Sequence, residues 1–251
     1  MRQPQVLPVE ELVRGPYVTL LCYPYPDRQE AEARATELRG IGVEALEIAG
    51  GVLAAGIPVL GKGHDGVVVT AIAGGERLAL KIRRLDGSGR GHSHEAAMLT
   101  AANSAGVGPA FVAATQNFLL TQLIDGGTLA GWMGRNRAEA EYRRAIGDVL
   151  EQCWRLDEAG MDHGELSNAP RHLLADTAGK PFIVDFEAAS LQRRASNVTS
   201  VCQYLFMGNS SARELIWDVL GERDRRRITE ASREYKKDRS RSRFEALLES
   251  F

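Results

Sequence analysis

The chain of 251 residues has little cysteine, no long apolar run and almost no net charge, and each shortage excludes something. Its three cysteines, Cys22, Cys153 and Cys202, stand far apart, so there is no Cys-x-x-Cys pair to seed a zinc site and no even-numbered disulfide framework. A reducing cytoplasm is the expected setting. No stretch approaches the ~18 consecutive apolar residues of a spanning helix. The opening MRQPQVLPVEELVRGP lacks the apolar core, about 7 to 15 residues long, of a secretory signal. Neither membrane insertion nor secretion is expected. With 31 Lys and Arg against 33 Asp and Glu, the net charge of −2 argues against a protein that coats polyanions with its whole surface. What is present, 44% hydrophobic and 25% charged residues, is the balance of an ordinary globular chain long enough for one large or two small domains.

Residues 1–50 read as a strand–helix–strand extension. Tyr17 to Tyr23 is apolar and β-prone, Asp27 to Arg39 is rich in Ala, Glu and Arg, and Val43 to Ile48 is apolar again, with Asp27 suited to cap the helix and Gly40 to stop it. This stretch is acidic, with a net charge of −3. Residues 51–124 change to short apolar runs (VVVTAI, RLALKI, GPAFVAAT, NFLLTQLI) between glycine-rich turns, the pattern of a small antiparallel sheet. One helix is expected within it, from about His94 to Asn103, and His92 and His94 read as loop residues. Residues 125–251 begin at the Gly126-Gly127 pair. They carry a long helix, Ala138 to Glu158, whose Ile146, Val149, Leu150, Cys153 and Leu156 form one apolar stripe ended by Gly160. Shorter helices fit Val201 to Met207 and Ala212 to Leu220. The stretch 221–243 holds ten basic and five acidic residues, so the near-neutral total hides an acidic beginning and a basic end.

Four motifs carry chemistry. Gly61-Lys62-Gly63-His64-Asp65-Gly66-Val67-Val68 has the spacing G-x-G-x-x-G-x-V, and its glycines would let backbone amides approach a polyphosphate. A dinucleotide-binding fingerprint needs a helix next, whereas VVVTAI continues as a strand. Leu78-Ala79-Leu80-Lys81 follows, and Glu95 stands fourteen residues after Lys81 on the expected helix, placed to pair with it. Asp162-His163-Gly164-Glu165-Leu166 lies ahead of the strand Leu173-Leu174-Ala175. Phe182-Ile183-Val184-Asp185-Phe186-Glu187 follows, setting two carboxylates, Glu165 and Asp185, at strand ends twenty residues apart.

Together these stretches resemble the protein kinase-like superfamily over residues 57 to 220, and most closely its small atypical members, the RIO kinases and the kinase of the KEOPS tRNA-modification complex. ALKIRR, DHGELSN and VDFEAAS followed by SNVTSV are similar to a mainly archaeal family of Ser/Thr protein kinase-like proteins that includes an archaeal tRNA 2′-O-kinase. The resemblance implies an α+β, bilobal kinase-like fold with a β-rich N-lobe, a reduced helical C-lobe and a β-α-β extension in front. It implies ATP held by Gly61, Lys62, Gly63, Gly66, Val67, Ala79, Lys81, Gln122 and Ile124, with Glu95 positioning Lys81. It further implies Mg²⁺ on Asp185 and catalytic roles for Lys81, Glu165 and Asp185.

The departures bear on mechanism. Glu165 is one methylene longer than the usual aspartate, and Asp185-Phe186-Glu187 replaces Asp-Phe-Gly. Where kinases place a metal-binding Asn, this chain has Pro170; Asn168 has the better oxygen donor, while alignment back from Leu173-Leu174 puts His172 at the site. Retention of Lys81, Glu95, Glu165 and Asp185 argues against an inactive relative. No Ala-Pro-Glu segment follows for docking a peptide. Instead Arg193 and Arg194 lie near the expected acceptor site, and Arg223, Arg225, Arg226, Arg227, Lys236, Lys237 and Arg239 furnish a basic stretch. The reading that follows is an RNA kinase acting on a tRNA ribose 2′-hydroxyl. The alternatives are an atypical Ser/Thr kinase with a protein substrate, and a noncatalytic nucleotide-binding module for RNA binding or assembly.

Overall fold

Apolar spacing and capping decide the helices, and strand alternation the sheet. In the computed structural model, which describes residues 4–87, 91–135 and 138–251, the chain is a mixed α+β protein, 43% helix and 21% strand, whose strand pairs are all antiparallel among the described residues. The first three residues of the N-terminal extension lie outside the described ones. No described helix is long and apolar enough to cross a membrane. The chain divides into two compact units, residues 1–97 with 110–123, and residues 98–109 with 124–251.

The first unit begins with strand β1 (Gln5–Pro8), helix α1 (Tyr17–Leu21), helix α2 (Arg28–Gly40) and strand β2 (Val43–Ile48). Strand–helix–strand holds as an order, but the first strand is misplaced in the sequence reading: Tyr17 to Tyr23 is not extended, and Tyr17–Leu21 forms a helical turn. A short apolar run cannot tell a buried strand from a buried helix by periodicity, and here Pro16, with φ −69° and ψ −17°, starts the turn. Asp27 caps α2 as expected, its carboxylate accepting from the Glu30 amide at 3.0 Å. The helix runs through Gly40 and the chain reverses at Gly42, where φ is +79°.

Next come β3 (Val52–Ala54), β4 (Ile57–Val59), β5 (Gly61–Lys62), β6 (Gly66–Ala73), β7 (Glu76–Arg83), helix α3 (Ser93–Ser104), β8 (Phe111–Ala114) and β9 (Phe118–Gln122). The main sheet runs β1-β2-β6-β7-β9-β8, with β5 also on β6 and a separate β3-β4 hairpin. The first 50 residues are thus built into the same sheet as residues 51–124. One core joins them: Leu7, Leu21, Leu38 and Leu46 from the extension are buried with Val67, Val69, Leu80 and Ile82 of the central strands.

A buried arginine ties α2 to that sheet. Arg34 is fully buried; its Nη1 donates to the carbonyls of Leu21 (2.6 Å) and Arg83 (2.7 Å), its Nη2 to Asn117 Oδ1 (2.9 Å) and its Nε to Glu30 (2.7 Å). Asn117 in turn donates from its backbone and side chain to Glu37 at 2.9 and 2.7 Å.

The second unit contains α4 (Leu129–Arg135), α5 (Glu139–Glu158), the hairpin β10 (Leu173–Ala175) and β11 (Pro181–Ile183), α6 (Asn197–Cys202), α7 (Ser211–Leu220), α8 (Arg225–Lys237) and α9 (Arg241–Leu248). The expected stripe of α5 is fully buried, and Gly160 after it takes φ +69°. The helix read over Val201 to Met207 begins earlier, at Asn197, and its second half, Gln203–Met207, is a wider π-type turn. The basic stretch is folded: Ile228 and Tyr235 of α8 are buried, and Tyr235 donates to Asp157 at 3.0 Å. Cys22, Cys153 and Cys202 are free and buried, and burial pushes the Cys202 thiol up to about 12.

Candidate functional site

In the first unit the glycine motif forms a tight hairpin: Gly61 pairs with Val68 and Lys62 with Val67, and the Gly63 amide donates to the Gly66 carbonyl at 2.8 Å. Only one of the three glycines is demanded by close approach. A Cβ on Gly66 would stand 2.8 Å from Lys81 Cγ and 3.1 Å from its Cε, so a side chain there would push the lysine aside.

Lys81 is placed by register. It pairs with Val68 on β6 and Leu119 on β9, and residues directly opposite share a face. Val68 and Ala79 therefore lie on the lysine's face. Val67 pairs with Ile82 and is fully buried in the core on the other. The nucleotide contact read for Val67 is a face error: strand side chains alternate, so a one-residue offset moves the side chain through the sheet. Lys62 also turns away, reaching the Leu53 carbonyl at 3.4 Å and lying over the Tyr23 ring at 5.9 Å. Gln122, at the end of β9, is spent structurally, its side-chain oxygen accepting from the Ala110 amide at 3.2 Å. Ile124 falls in the second unit, half-buried just past β9.

The expected pair forms. Lys81 Nζ stands 3.1 and 2.9 Å from the two carboxylate oxygens of Glu95, and both side chains are largely buried. His92, read from sequence as a plain loop residue, is buried too, with Nδ1 3.4 Å from the same carboxylate. Its place just ahead of α3, where its carbonyl accepts from the Ala96 amide, gives no sequence signal of that contact.

The second unit holds the other set. Glu165 is not at a strand end; it precedes a 3-10 turn, Leu166–Asn168. The loop that carries it is anchored from below, where the buried Asn197 side chain accepts from the His163 amide at 2.8 Å and donates to the Met161 carbonyl at 2.6 Å. Asp157, itself buried, accepts from the Asn197 amide and side chain at 2.8 Å each, from the Val198 amide at 3.3 Å and from Tyr235. Burial raises the Asp157 carboxyl above its ordinary value despite these donors. Gly164 has φ +91°, and a Cβ there would meet Arg193 Nη2 at 2.6 Å.

Asp185 follows β11 with φ +69°, the left-handed region that asparagine and aspartate visit most readily among non-glycine residues; such residues concentrate at functional sites. His172 stands between the two acids, its Nε2 3.7 Å from Glu165 Oε2 and its Nδ1 4.0 Å from Asp185 Oδ2. Ligand atoms of Glu165, His172 and Asp185 lie within 4.8 Å of one another, and His172 Nδ1 is buried without a hydrogen-bond partner. Two carboxylates and an orphaned imidazole nitrogen are a donor set that fits a divalent cation. Asn168 is elsewhere: it is exposed and lines a cavity of about 290 Å³ with Ser167, Pro170, Tyr204 and Ser210. Of the two candidates to replace the kinase asparagine, His172 is the one the fold brings to Asp185.

His163, edge-on to His172 at 5.5 Å, has its Nε2 3.0 Å from the Val184 carbonyl, and burial lowers its pKa to about 4. It is a neutral donor that orients the loop. Arg193 and Arg194 are engaged rather than free. Arg193 pairs with Asp162 at 2.9 Å, and Arg194 donates to the Lys236 carbonyl at 2.9 Å.

Most of the basic stretch is also engaged. Arg223 donates to the Leu220 carbonyl and Arg239 to that of Ala195, Arg225 stacks on Trp217 at 4.6 Å and Arg227 donates to the Glu249 carbonyl at 3.0 Å. Arg226 and Lys237 pair with glutamates on the surface, while Lys236 and Arg233 are exposed. Compared with known proteins, the chain matches no family model and no curated sequence.

Proposed function

We propose that this chain is an ATP- and Mg²⁺-dependent phosphotransferase of the bilobal, kinase-like kind, acting on an RNA alcohol, the ribose 2′-hydroxyl of a tRNA nucleotide. The observation that carries the reading is the buried Lys81–Glu95 pair beneath Gly66. An isolated surface pair would need no such glycine. Here the strand lysine is held straight by a helix glutamate at the spot where a glycine turn leaves room, which is the arrangement needed to hold α- and β-phosphate oxygens in one position.

In this reading Lys81 grips the phosphates and Glu95 and His92 fix its direction. Glu165 orients the acceptor hydroxyl, and Asp185 with its neighbours would hold the divalent ion. When bound, such an ion neutralises charge on the transferred phosphoryl group. Most of the rate enhancement then comes from positioning and charge complementarity. An RNA acceptor is favoured over a peptide by the short stretch after Asp185. Residues 186–196 are pinned to the preceding loop by the Asp162–Ser190 bridge and the Arg193–Asp162 pair, which leaves no extended platform for a peptide. The exposed cations of α8 would bind RNA phosphates.

The test is to incubate the protein with γ-labelled ATP and either bulk tRNA or a mixed protein substrate, alongside Glu165→Ala and Asp185→Ala. Label in a nuclease-sensitive, protease-resistant fraction, reduced at least a hundredfold in both variants, is expected. Label confined to protein would make the chain an atypical Ser/Thr kinase, and none in either fraction would leave a noncatalytic binding module.

A further inference from the structure

The position of His172 is set by backbone as well as by its ring. Its carbonyl accepts from the Val184 amide at 3.0 Å, extending by one step the pairing of Leu173 with Ile183, while its own amide donates to the Ala169 carbonyl at 3.2 Å. The imidazole therefore projects from the continuation of a hairpin next to Asp185. One ring nitrogen, Nε2, faces Glu165; the other, Nδ1, faces Asp185, is buried and has no hydrogen-bond partner. A neutral imidazole has one N–H and one lone pair. At 3.7 Å Nε2 is within ion-pair reach of the Glu165 carboxylate but too far for a hydrogen bond; with the proton on Nε2 the Nδ1 lone pair is left on the Asp185 side, and a shift of about half an ångström would complete the carboxylate–imidazole–metal relay common to histidine ligands. Donor atoms around one divalent ion stand about 3 to 4 Å apart, and Nδ1 and Asp185 Oδ2 are 4.0 Å apart.

We propose that His172 Nδ1 and Asp185 are direct ligands of a divalent ion and that Glu165 orients the ring, so that the site favours Mn²⁺ over Mg²⁺. An imidazole nitrogen suits first-row transition metals better than it suits Mg²⁺, which takes oxygen donors in strict octahedra. The competing arrangement is an imidazolium clamped between two carboxylates, which would bind no metal through nitrogen. The inference takes the metal's role from the phosphotransferase reading, but the ligand assignment stands or falls independently.

The test uses the full chain without ATP. Mn²⁺ is titrated at near-neutral pH and followed by loss of the free-ion electron paramagnetic resonance signal, and the bound ion is then examined by electron spin echo modulation. A ¹⁴N coupling is expected in the wild type. In His172→Asn the coupling should vanish, with Mn²⁺ affinity falling about tenfold and Mg²⁺ affinity, measured by competition, changing less than threefold. Asp185→Asn should weaken both ions. Bound Mn²⁺ with no nitrogen coupling in the wild type overturns the proposal, as does a coupling that persists in His172→Asn or a failure to bind Mn²⁺ at millimolar concentration. The wild-type spectrum decides even if a variant fails to fold. Since no turnover is measured, a negative labelling assay leaves this result intact, and a nitrogen-free site leaves the phosphotransferase reading standing.

Discussion

Each unit fastens a helix with a buried charge, and the two solve the problem of burial in different ways. In the first unit the charge is a cation, Arg34, whose guanidinium is met by two carbonyls, the Asn117 side chain and the carboxylate of Glu30. In the second it is an anion, Asp157, met by two amides, the Asn197 side chain and the Tyr235 phenol, all neutral donors. A guanidinium presents five donors in a fixed fork and stays charged at any ordinary pH, so it can be buried permanently if oxygen atoms surround it. A carboxylate without a cation can shed its charge instead, which is why burial raises the Asp157 carboxyl. Both charges do the same architectural work: each fastens a terminal segment, α2 or α8, to the elements that carry the chemistry.

Removal of Arg34 should break the comparison most. Arg34→Ala strands the carbonyls of Leu21 and Arg83, while Asn117 Oδ1 keeps its bonds from Arg83, and is expected to cost about 4 kcal/mol, with Arg34→Lys recovering less than half because an ammonium cannot fill the fork. All three tryptophans, Trp132, Trp154 and Trp217, lie in the second unit, so the effect should be read by hydrogen exchange of the sheet amides. Unchanged exchange in β6 and β7 would show that α2 contributes nothing to the sheet.

Asp157→Ala should cost about 3 kcal/mol, visible in tryptophan fluorescence during urea unfolding. The pH dependence distinguishes the two charges. Because the folded-state pKa of Asp157 lies above the ordinary 3.8, its stabilising effect is fully present below that value and is lost as pH rises through the folded pKa. The difference between wild type and Asp157→Ala should shrink upward from pH 3.8, while that for Arg34→Ala stays flat. A constant gap for Asp157→Ala would mean its donors cancel the cost of burial.

The smallest effect on folding is expected from the surface of α8. Neutralising Arg226, Arg233 and Lys236 together should leave the unfolding midpoint nearly unchanged yet make the salt dependence of tRNA binding shallower by about 2 in log–log slope. Arg225 and Arg227 are excluded from this test because they hold the fold through Trp217 and Glu249. An unchanged slope would make the exposed face of α8 a merely solvated one.

How much of this was legible beforehand depends on how far each feature reaches along the chain. Asp27 capping α2 and the buried stripe of α5 follow from spacing within a few turns, and the Lys81–Glu95 pair from two residues fourteen apart read together with the glycine turn. The failures have the opposite character. Gln5–Pro8, flanked by prolines and mostly exposed, is a strand only because β2 offers it a partner edge. Tyr17–Leu21 has the composition of a strand and the proline of a helix start. Val67 and Val68 are equally apolar, and only pairing with Ile82 or Lys81 tells which one faces the lysine. Spacing alone left Asn168 and His172 open as partners of Asp185. The pairing of His172 with Val184 chose between them.

The sequence by itself determined the capped helix α2, the buried stripe of α5, the glycine turn and the inventory of acids, lysine and histidines, because those depend on residues close along the chain. Tertiary structure alone decided which face of the sheet each valine took, that Arg34 and Asp157 are interior charges rather than surface ones, and that His172 is the residue beside the acids. Those outcomes turn on partners 40 or more residues away for the two charges, and for the others on strand register, which composition does not encode.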